Sequence, residues 1–499
     1  MSSPRPHVAV IGAGMSGLFI AKQLKERGIP FSIYEKASEI GGTWRDNNYP
    51  GLFVDVPVSQ YQLNFAPKHD WTHAYAPGPE IQEYLLQVTE DHGLREHIEF
   101  NTNLVSSTWS GSNWELRTDA GQLITADIVV TATGFLHQPT LPPVPGMDTF
   151  EGPWFHSSQW PDGLDVTGKR VGIVGSGSSG IQMVTALAYM GVEVTQFVRT
   201  PQWIETIDNP TASEESLQRV RANPETGPDE LAALEDGINQ DPRLRNPRWK
   251  LADAGPTREA AGDALREDLM AIADPELRKM LTPTFPPGCK RIPKSAQYYQ
   301  AVQEPNVRIV PHGIDRVEPG GARTPDGEFH DLDVIVYATG FDAHAYMRPM
   351  QVTGLDGLLL DEVWANGPFS YRGVAVPNFP NFFLLHGPFA PVNNVPVPKS
   401  LEDQTGYICQ VIDLIGTKDV AVWPSEEATD QFRSWVRNEV PETVWSDACF
   451  SWYKGNDGEA IVWPWFDTEH EAMFADLAFD DLELSISQNA QSTVSGSES

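Results

Sequence analysis

Twice along this chain a short apolar run breaks into Gly-x-Gly-x-x-Gly and resumes with helical spacing. The first copy starts at His7 to Ile11 and passes through Gly12, Gly14 and Gly17. It continues from Met15 to Arg27, where Leu18, Ala21 and Leu24 share one face and Gly28 supplies a stop. Phe31 to Tyr34 then alternates as a strand. The second copy starts at Arg170 to Val174 and passes through Gly175, Gly177 and Gly180. It continues through a helix over Ser178 to Met190, a stop at Gly191 and a strand over Val192 to Val198. A glycine triplet between strand and helix permits a tight turn and lets a pyrophosphate reach the helix N-terminus. Two such units predict an α/β chain with two Rossmann-like dinucleotide-binding domains.

The residues that end the second strand of each unit differ. In the first it is Glu35, whose carboxylate suits ribose hydroxyls. In the second it is Arg199-Thr200-Pro201. A carboxylate there would repel a 2′-phosphate, whereas arginine pairs with it. The plainer reading of Arg199 is a surface charge at a strand end; its place after the second glycine loop favours NADPH over NADH. An FAD site and an NADPH site together describe a flavoprotein that takes hydride from NADPH.

A second internal echo marks the domain order. Asp127-Ile-Val-Val-Thr-Ala-Thr-Gly-Phe135 matches Asp333-Val-Ile-Val-Tyr-Ala-Thr-Gly-Phe341 closely. Both read as buried strands running into a turn, where the chain leaves the first domain near 135 and returns near 341. The expected division is an FAD-binding part over 1–140 and an NADPH-binding domain over 141–330. Charged helical segments form an insertion in the latter at about 205–284. The FAD-binding domain returns with substrate-facing loops over 331–484, and a Ser-rich disordered tail covers 485–499.

Charge and cysteines exclude other classes. The 35 Lys+Arg against 68 Asp+Glu give a net charge of −33, which opposes binding to nucleic acid or an anionic membrane. Screening within ~10 Å lets a few local cations still hold phosphates. Cys289, Cys409 and Cys449 lie far apart and outside any C-x-x-C pair, so reduced thiols are expected rather than a disulfide framework, a redox dithiol or a zinc site. No metal site is expected. No apolar run reaches the ~18–20 residues of a membrane span, and few residues precede the first strand, so neither a span nor a signal peptide is expected. The expected location is cytoplasmic.

The segment between the two units carries a more specific pattern. Phe150-Glu-Gly152-Pro-Trp-Phe-His156-Ser-Ser-Gln-Trp160-Pro161 resembles the F-x-G-x-x-x-H-x-x-x-W-P/D fingerprint of type I Baeyer–Villiger monooxygenases. The resemblance spans nearly the whole chain. Gly41-Gly42-Thr43-Trp44, then Tyr49-Pro50-Gly51 to Asp55, resembles the family's second motif. Cys289-Lys290-Arg291, followed by Tyr298-Tyr299 and Asn306-Val307, resembles the segment with its active-site arginine, and Ser451-Trp452-Tyr453 its C-terminal tryptophan segment.

This resemblance implies a reaction and a set of roles. NADPH reduces FAD, O₂ adds to the flavin as a C4a-peroxyflavin, and a ketone becomes an ester or lactone. Arg291 would stabilise the developing negative charge, with Asp55 orienting it. Arg199, with Thr200 beside it, and Lys290 would take the 2′-phosphate of NADPH. Gln182 would touch the nicotinamide side and Trp452 the NADP ribose; Trp44 belongs to the cofactor set. His156 is expected to be a hydrogen-bonding hinge in the linker rather than a proton donor. Val392 to Pro398 should face the substrate, and its apolar, proline-rich character suggests a bulky apolar ketone. Two rivals share these cofactor residues: an N- or S-oxygenating flavin monooxygenase, and a non-oxygenating NADPH-dependent flavin oxidase.

Overall fold

The strand Val8–Ile11 is buried along its length and pairs in parallel with Phe31–Tyr34 on one side and Ile128–Thr131 on the other. Continuous apolar runs of this kind suit a parallel sheet covered on both faces. Ile98–Glu99 and Phe382–Leu384 complete the sheet at its edges. The helix Met15–Glu26 buries Leu18, Phe19, Ile20, Ala21 and Leu24, sharing a core with Leu401, Ile408 and Ile412 of the helix Val397–Lys418. In the computed structural model the described residues are 5–238, 242–245, 255–392, 394–418, 420–446 and 449–486.

A second parallel sheet repeats the plan. Arg170–Val174 lies between Glu193–Phe197 and Val334–Tyr337, with Val307–Val310 and Trp154–His156 at the edges. The helix Ser178–Tyr189 follows its glycine loop. The expected α/β class, with two Rossmann-like units, is the one observed. Helices Glu214–Ala222, Gly227–Asp236, Pro256–Leu269 and Pro275–Met280 occupy the stretch read as a helical insertion.

The two echoed segments do equivalent work. Ile128–Thr131 and Val334–Tyr337 each flank the first strand of their sheet, and each preceding aspartate anchors that strand. Asp127 accepts the backbone N–H of His7 at 2.7 Å, and Asp333 accepts that of Arg170 at 2.9 Å. Beyond these strands the outgoing and returning chains run side by side. Pro139 bridges Phe341, the Thr140 N–H donates to Gly340 O, and the Asp342 N–H donates to Gln138 O. Strand Val334–Tyr337 lies in the second sheet, so the return follows residue 337 rather than the boundary set at 330.

One smaller expectation needs correction. The strand Leu482–Ile486 pairs antiparallel with Val420–Pro424, so residues 485–486 belong to a sheet rather than to a disordered tail. Its alternating Leu-Glu-Leu-Ser-Ile pattern is ordinary for an edge strand. The rest of that tail, 487–499, lies outside the described residues, as does Asn393 in the loop expected to face the substrate. Among the described residues, no helix is long and apolar enough to cross a membrane.

Burial lowers the basicity of several histidines, among them His7, His137, His156, His330 and His386. His386 is the extreme case, pushed from 6.5 down to about 4 by burial and by nearby His470. A depressed histidine is neutral in the fold and protonates more readily when unfolded. Its contribution is therefore intact above 6.5 and is lost as pH falls towards about 4. For His386 alone the loss is on the order of 3 kcal/mol. Unfolding free energy should fall steadily on acidification through that window, and less in a His386→Asn variant. Equal denaturant midpoints at the two ends of the window would refute this.

Candidate active site

Both glycine loops are shaped by the protein and open towards a ligand. In the first, a Cβ on Gly17 would stand 2.0 Å from the Gly12 carbonyl oxygen, so the third glycine is required for packing. Gly12 itself turns at φ +103, and Gly14 faces Gly42. In the second, a Cβ on Gly175 or Gly180 would strike the backbone of Ala338 or Gly175. Gly177 differs: a Cβ there would meet nothing within 4 Å. Among the described residues no neighbour requires glycine at 177, a position where the glycine-loop pattern lets the backbone approach a pyrophosphate.

Glu35 lies at the mouth of the first loop. Its carboxylate accepts the Ala13 N–H at 2.8 Å and the Ala37 N–H at 2.9 Å, and pairs with Arg45 at 3.1 Å. A carboxylate offers about four acceptor sites, which leaves capacity for a ribose hydroxyl. Trp44 packs edge-on against Tyr61 and donates from Nε1 to its hydroxyl at 3.2 Å. Burial pushes that phenol up to about 12, so it remains protonated.

At the second loop, Arg199 is exposed and Lys290 half-buried. Among the described residues, neither forms a carboxylate ion pair. Burial lowers the affinity of Lys290 for its proton, and repulsion from Arg199 adds to this. Lys290 sits over the ring of Phe285, 4.7 Å from its centre. Two adjacent cations without a carboxylate partner among the described residues have the charge that suits a dianion. The Thr200 carbonyl accepts the Ser176 hydroxyl at 2.8 Å, tying the loop to the strand end. Arg199→Ala and Lys290→Ala should each raise the NADPH KM by roughly 10–100-fold while changing that for NADH little. Equal effects on both nucleotides would remove the 2′-phosphate assignment.

Arg291 and Asp55 are far apart in sequence and meet in a two-pronged pair. Arg291 Nη2 donates to Asp55 Oδ1 at 2.7 Å, and Nε donates to Oδ2 at 2.9 Å. The remaining Nη1 donates to the Val392 carbonyl at 3.0 Å. The Asp55 charge strengthens the arginine's hold on its proton. Fully buried Tyr453 faces the same guanidinium. Beside them, Phe135, Tyr346, His386, Val392, Trp452 and Val462 line a small cavity. His386 Nε2 is buried there without a hydrogen-bond partner.

Other expected residues serve the joint between the domains. Gln182 accepts the Tyr49 hydroxyl at 3.0 Å and donates to the Phe53 carbonyl at 3.0 Å, so its amide links the second helix to the first domain. His156 is fully buried. Its Nδ1 accepts the Ser158 N–H, and Nε2 donates to Gly340 O at 2.9 Å, which fixes the neutral tautomer. Phe150 enters the core of the second sheet, and Gly152 passes against the backbone of Asp333. Trp160 stacks edge-on against Phe155.

Residues 9–226 match the family described as pyridine nucleotide-disulphide oxidoreductase. An uncharacterized monooxygenase of Mycobacterium tuberculosis is 42% identical over 487 residues, covering 97% of each chain. A Baeyer–Villiger monooxygenase of Streptomyces coelicolor is 35% identical, covering 92% of this chain and 88% of its own. The chain belongs to the type I Baeyer–Villiger monooxygenases. Its fold is that of OTEMO, solved as a complex with FAD and NADP, with 27% identity and a TM-score of 0.86. That match covers 97% of this chain and all of the other.

As a Baeyer–Villiger monooxygenase the chain is a flavin monooxygenase. Its site holds features that motif reading missed. The Val392 carbonyl is a backbone group and leaves no trace in side-chain identity. Tyr61 lies in no motif. The expectation of reduced thiols is overturned at two positions: Cys289 and Cys449 form a disulfide, and Cys409 remains free and buried. The partners are 160 residues apart, so no local spacing rule could pair them. Folding brings them together where the arginine segment meets the C-terminal tryptophan segment.

Proposed function

We propose that this protein inserts one oxygen atom of O₂ beside the carbonyl of an apolar ketone, giving an ester or lactone, with FAD in the first domain and NADPH in the second. The observation that carries this reading is Arg291, held by both oxygens of Asp55 with a third anchor at Val392 O. Bound FAD, reduced by NADPH, supplies the electrons that activate O₂. The chain's own residues supply the setting. Arg291 places a permanent cation against negative charge that develops on oxygen. Asp55 fixes the plane of the guanidinium and balances its charge in a half-buried site. Phe135, Tyr346 and Trp452 line an aromatic wall that keeps water from the reacting atoms. Arg199 and Lys290 orient the nucleotide through its 2′-phosphate.

The apolar, proline-rich sequence of the loop from Val392 is what favours a bulky apolar ketone over a small polar one. The test is a panel of ketones, a thioether and a primary amine, read by mass spectrometry for gain of one oxygen. Esters or lactones from apolar ketones support the reading. Turnover confined to the amine and thioether would assign it to the heteroatom-oxidising monooxygenases. NADPH consumption yielding only hydrogen peroxide across the panel would make it an oxidase.

A further inference from the structure

Arg291 is carried by a segment with no regular secondary structure. Residues 286–293 are turns and irregular chain, with Gly288 at φ +86. The segment facing it, 449–453, is irregular as well. Among the described residues, no backbone hydrogen bond joins Cys289–Arg291 to Cys449–Tyr453. Without a covalent link the backbone that carries Arg291 would be tied to 449–453 by side chains alone, where a reacting geometry tolerates only ~0.5 Å of drift.

The Cys289–Cys449 disulfide supplies the missing connection. Its Cα atoms are 6.5 Å apart, near the upper end of the span that a disulfide bridges. On one side it immediately precedes Lys290 and Arg291. On the other it shortly precedes Trp452, which lines the cavity, and Tyr453, which faces Arg291. Cys289 is buried and Cys449 half-buried, so a thiol reaches the bridge from the Cys449 side.

We propose that this disulfide is a positioning element for oxygenation: it holds the Arg291 segment against the Trp452–Tyr453 segment, and its reduction separates NADPH consumption from product formation. The inference rests on the role given to Arg291 above. Reduction by a dithiol transfers two electrons and two protons to the bridge, leaving two protein thiols and the reagent's own cyclic disulfide. The arginine segment is then tethered by side chains alone, and reduced flavin loses more of its oxygen as peroxide.

The FAD-loaded enzyme is compared in three states: as isolated, after dithiothreitol treatment and gel filtration, and after reoxidation. Cys289→Ser and Cys449→Ser follow, with Cys409→Ala as a control away from the bridge. The readouts are product formed per NADPH consumed, the rate of flavin reduction, and hydrogen exchange over 286–294. Reduction and both serine variants should lower the product-to-NADPH ratio by roughly threefold or more, with flavin reduction changed less than about twofold. Exchange over 286–294 should rise in the same samples. Reoxidation should restore the wild type but neither serine variant. An unchanged ratio in all the bridge-broken forms, or flavin reduction falling in parallel with product, would overturn the proposal. If no form oxygenates any ketone, the reaction assignment has failed instead. Exchange still judges the tether in that case: faster exchange upholds it and unchanged exchange refutes it.

Discussion

Replacing Arg291 with alanine is expected to leave flavin reduction by NADPH intact and to abolish ester formation. Arg291 is engaged with Asp55 and Val392 O, whereas the nucleotide's phosphate is proposed to rest on Arg199 and Lys290, so hydride delivery should continue. The reacting carbonyl would lose its one fixed cation. Removing a single preorganised donor from a developing oxyanion costs about 10²–10³ in rate. Here the loss should reach the upper end or beyond, because the Asp55 charge would no longer be balanced by Arg291 and would add negative charge where negative charge develops. Arg291→Lys should recover little, since an ammonium cannot satisfy both Asp55 oxygens and Val392 O with the same geometry. Stopped-flow flavin reduction and product yield measure the two halves separately. Near-normal product from Arg291→Ala would disprove the assignment.

The second large effect is expected at Gly17. A methyl group there would lie 2.0 Å from the Gly12 carbonyl oxygen, a backbone atom that cannot rotate aside. The helix Met15–Glu26 would have to move off the sheet together with the loop that approaches the pyrophosphate. Gly17→Ala should therefore lose FAD and at least ~3 kcal/mol of stability, as for other changes that overpack a core. Gly177→Ala is the contrast. Its methyl group has room, so the protein should fold and keep FAD while its NADPH KM rises. FAD content by absorbance and thermal unfolding of the two variants test this. Equal behaviour would mean that ligand approach does not govern Gly177.

Much of this architecture was legible because it depends on local signals. Glycine triplets between a strand and a helix are contiguous, and so are the two echoed strands that flank the first strand of each sheet. Arg291 and Asp55 could be named from separate motifs, although only the fold shows both carboxylate oxygens engaged. What escaped depends on tertiary meeting points. The Val392 carbonyl acts through its backbone. Gln182 was placed on the nicotinamide side from its position in the helix; the fold adds that its amide bonds Tyr49 and Phe53 of the other domain. Cys289 and Cys449 obey no spacing rule. The edge strand at Leu482–Ile486 was hidden by the Ser-rich composition that follows it.

The paired crossings at 138–140 and 340–342 have an engineering consequence. The whole second unit enters and leaves the first through one narrow doorway, with its two ends already hydrogen-bonded to each other. In topological terms it is a very long hairpin loop of the first unit. A cassette from a related enzyme, cut at the same doorway, could be exchanged without altering any strand of the first sheet, and the nucleotide preference would travel with it.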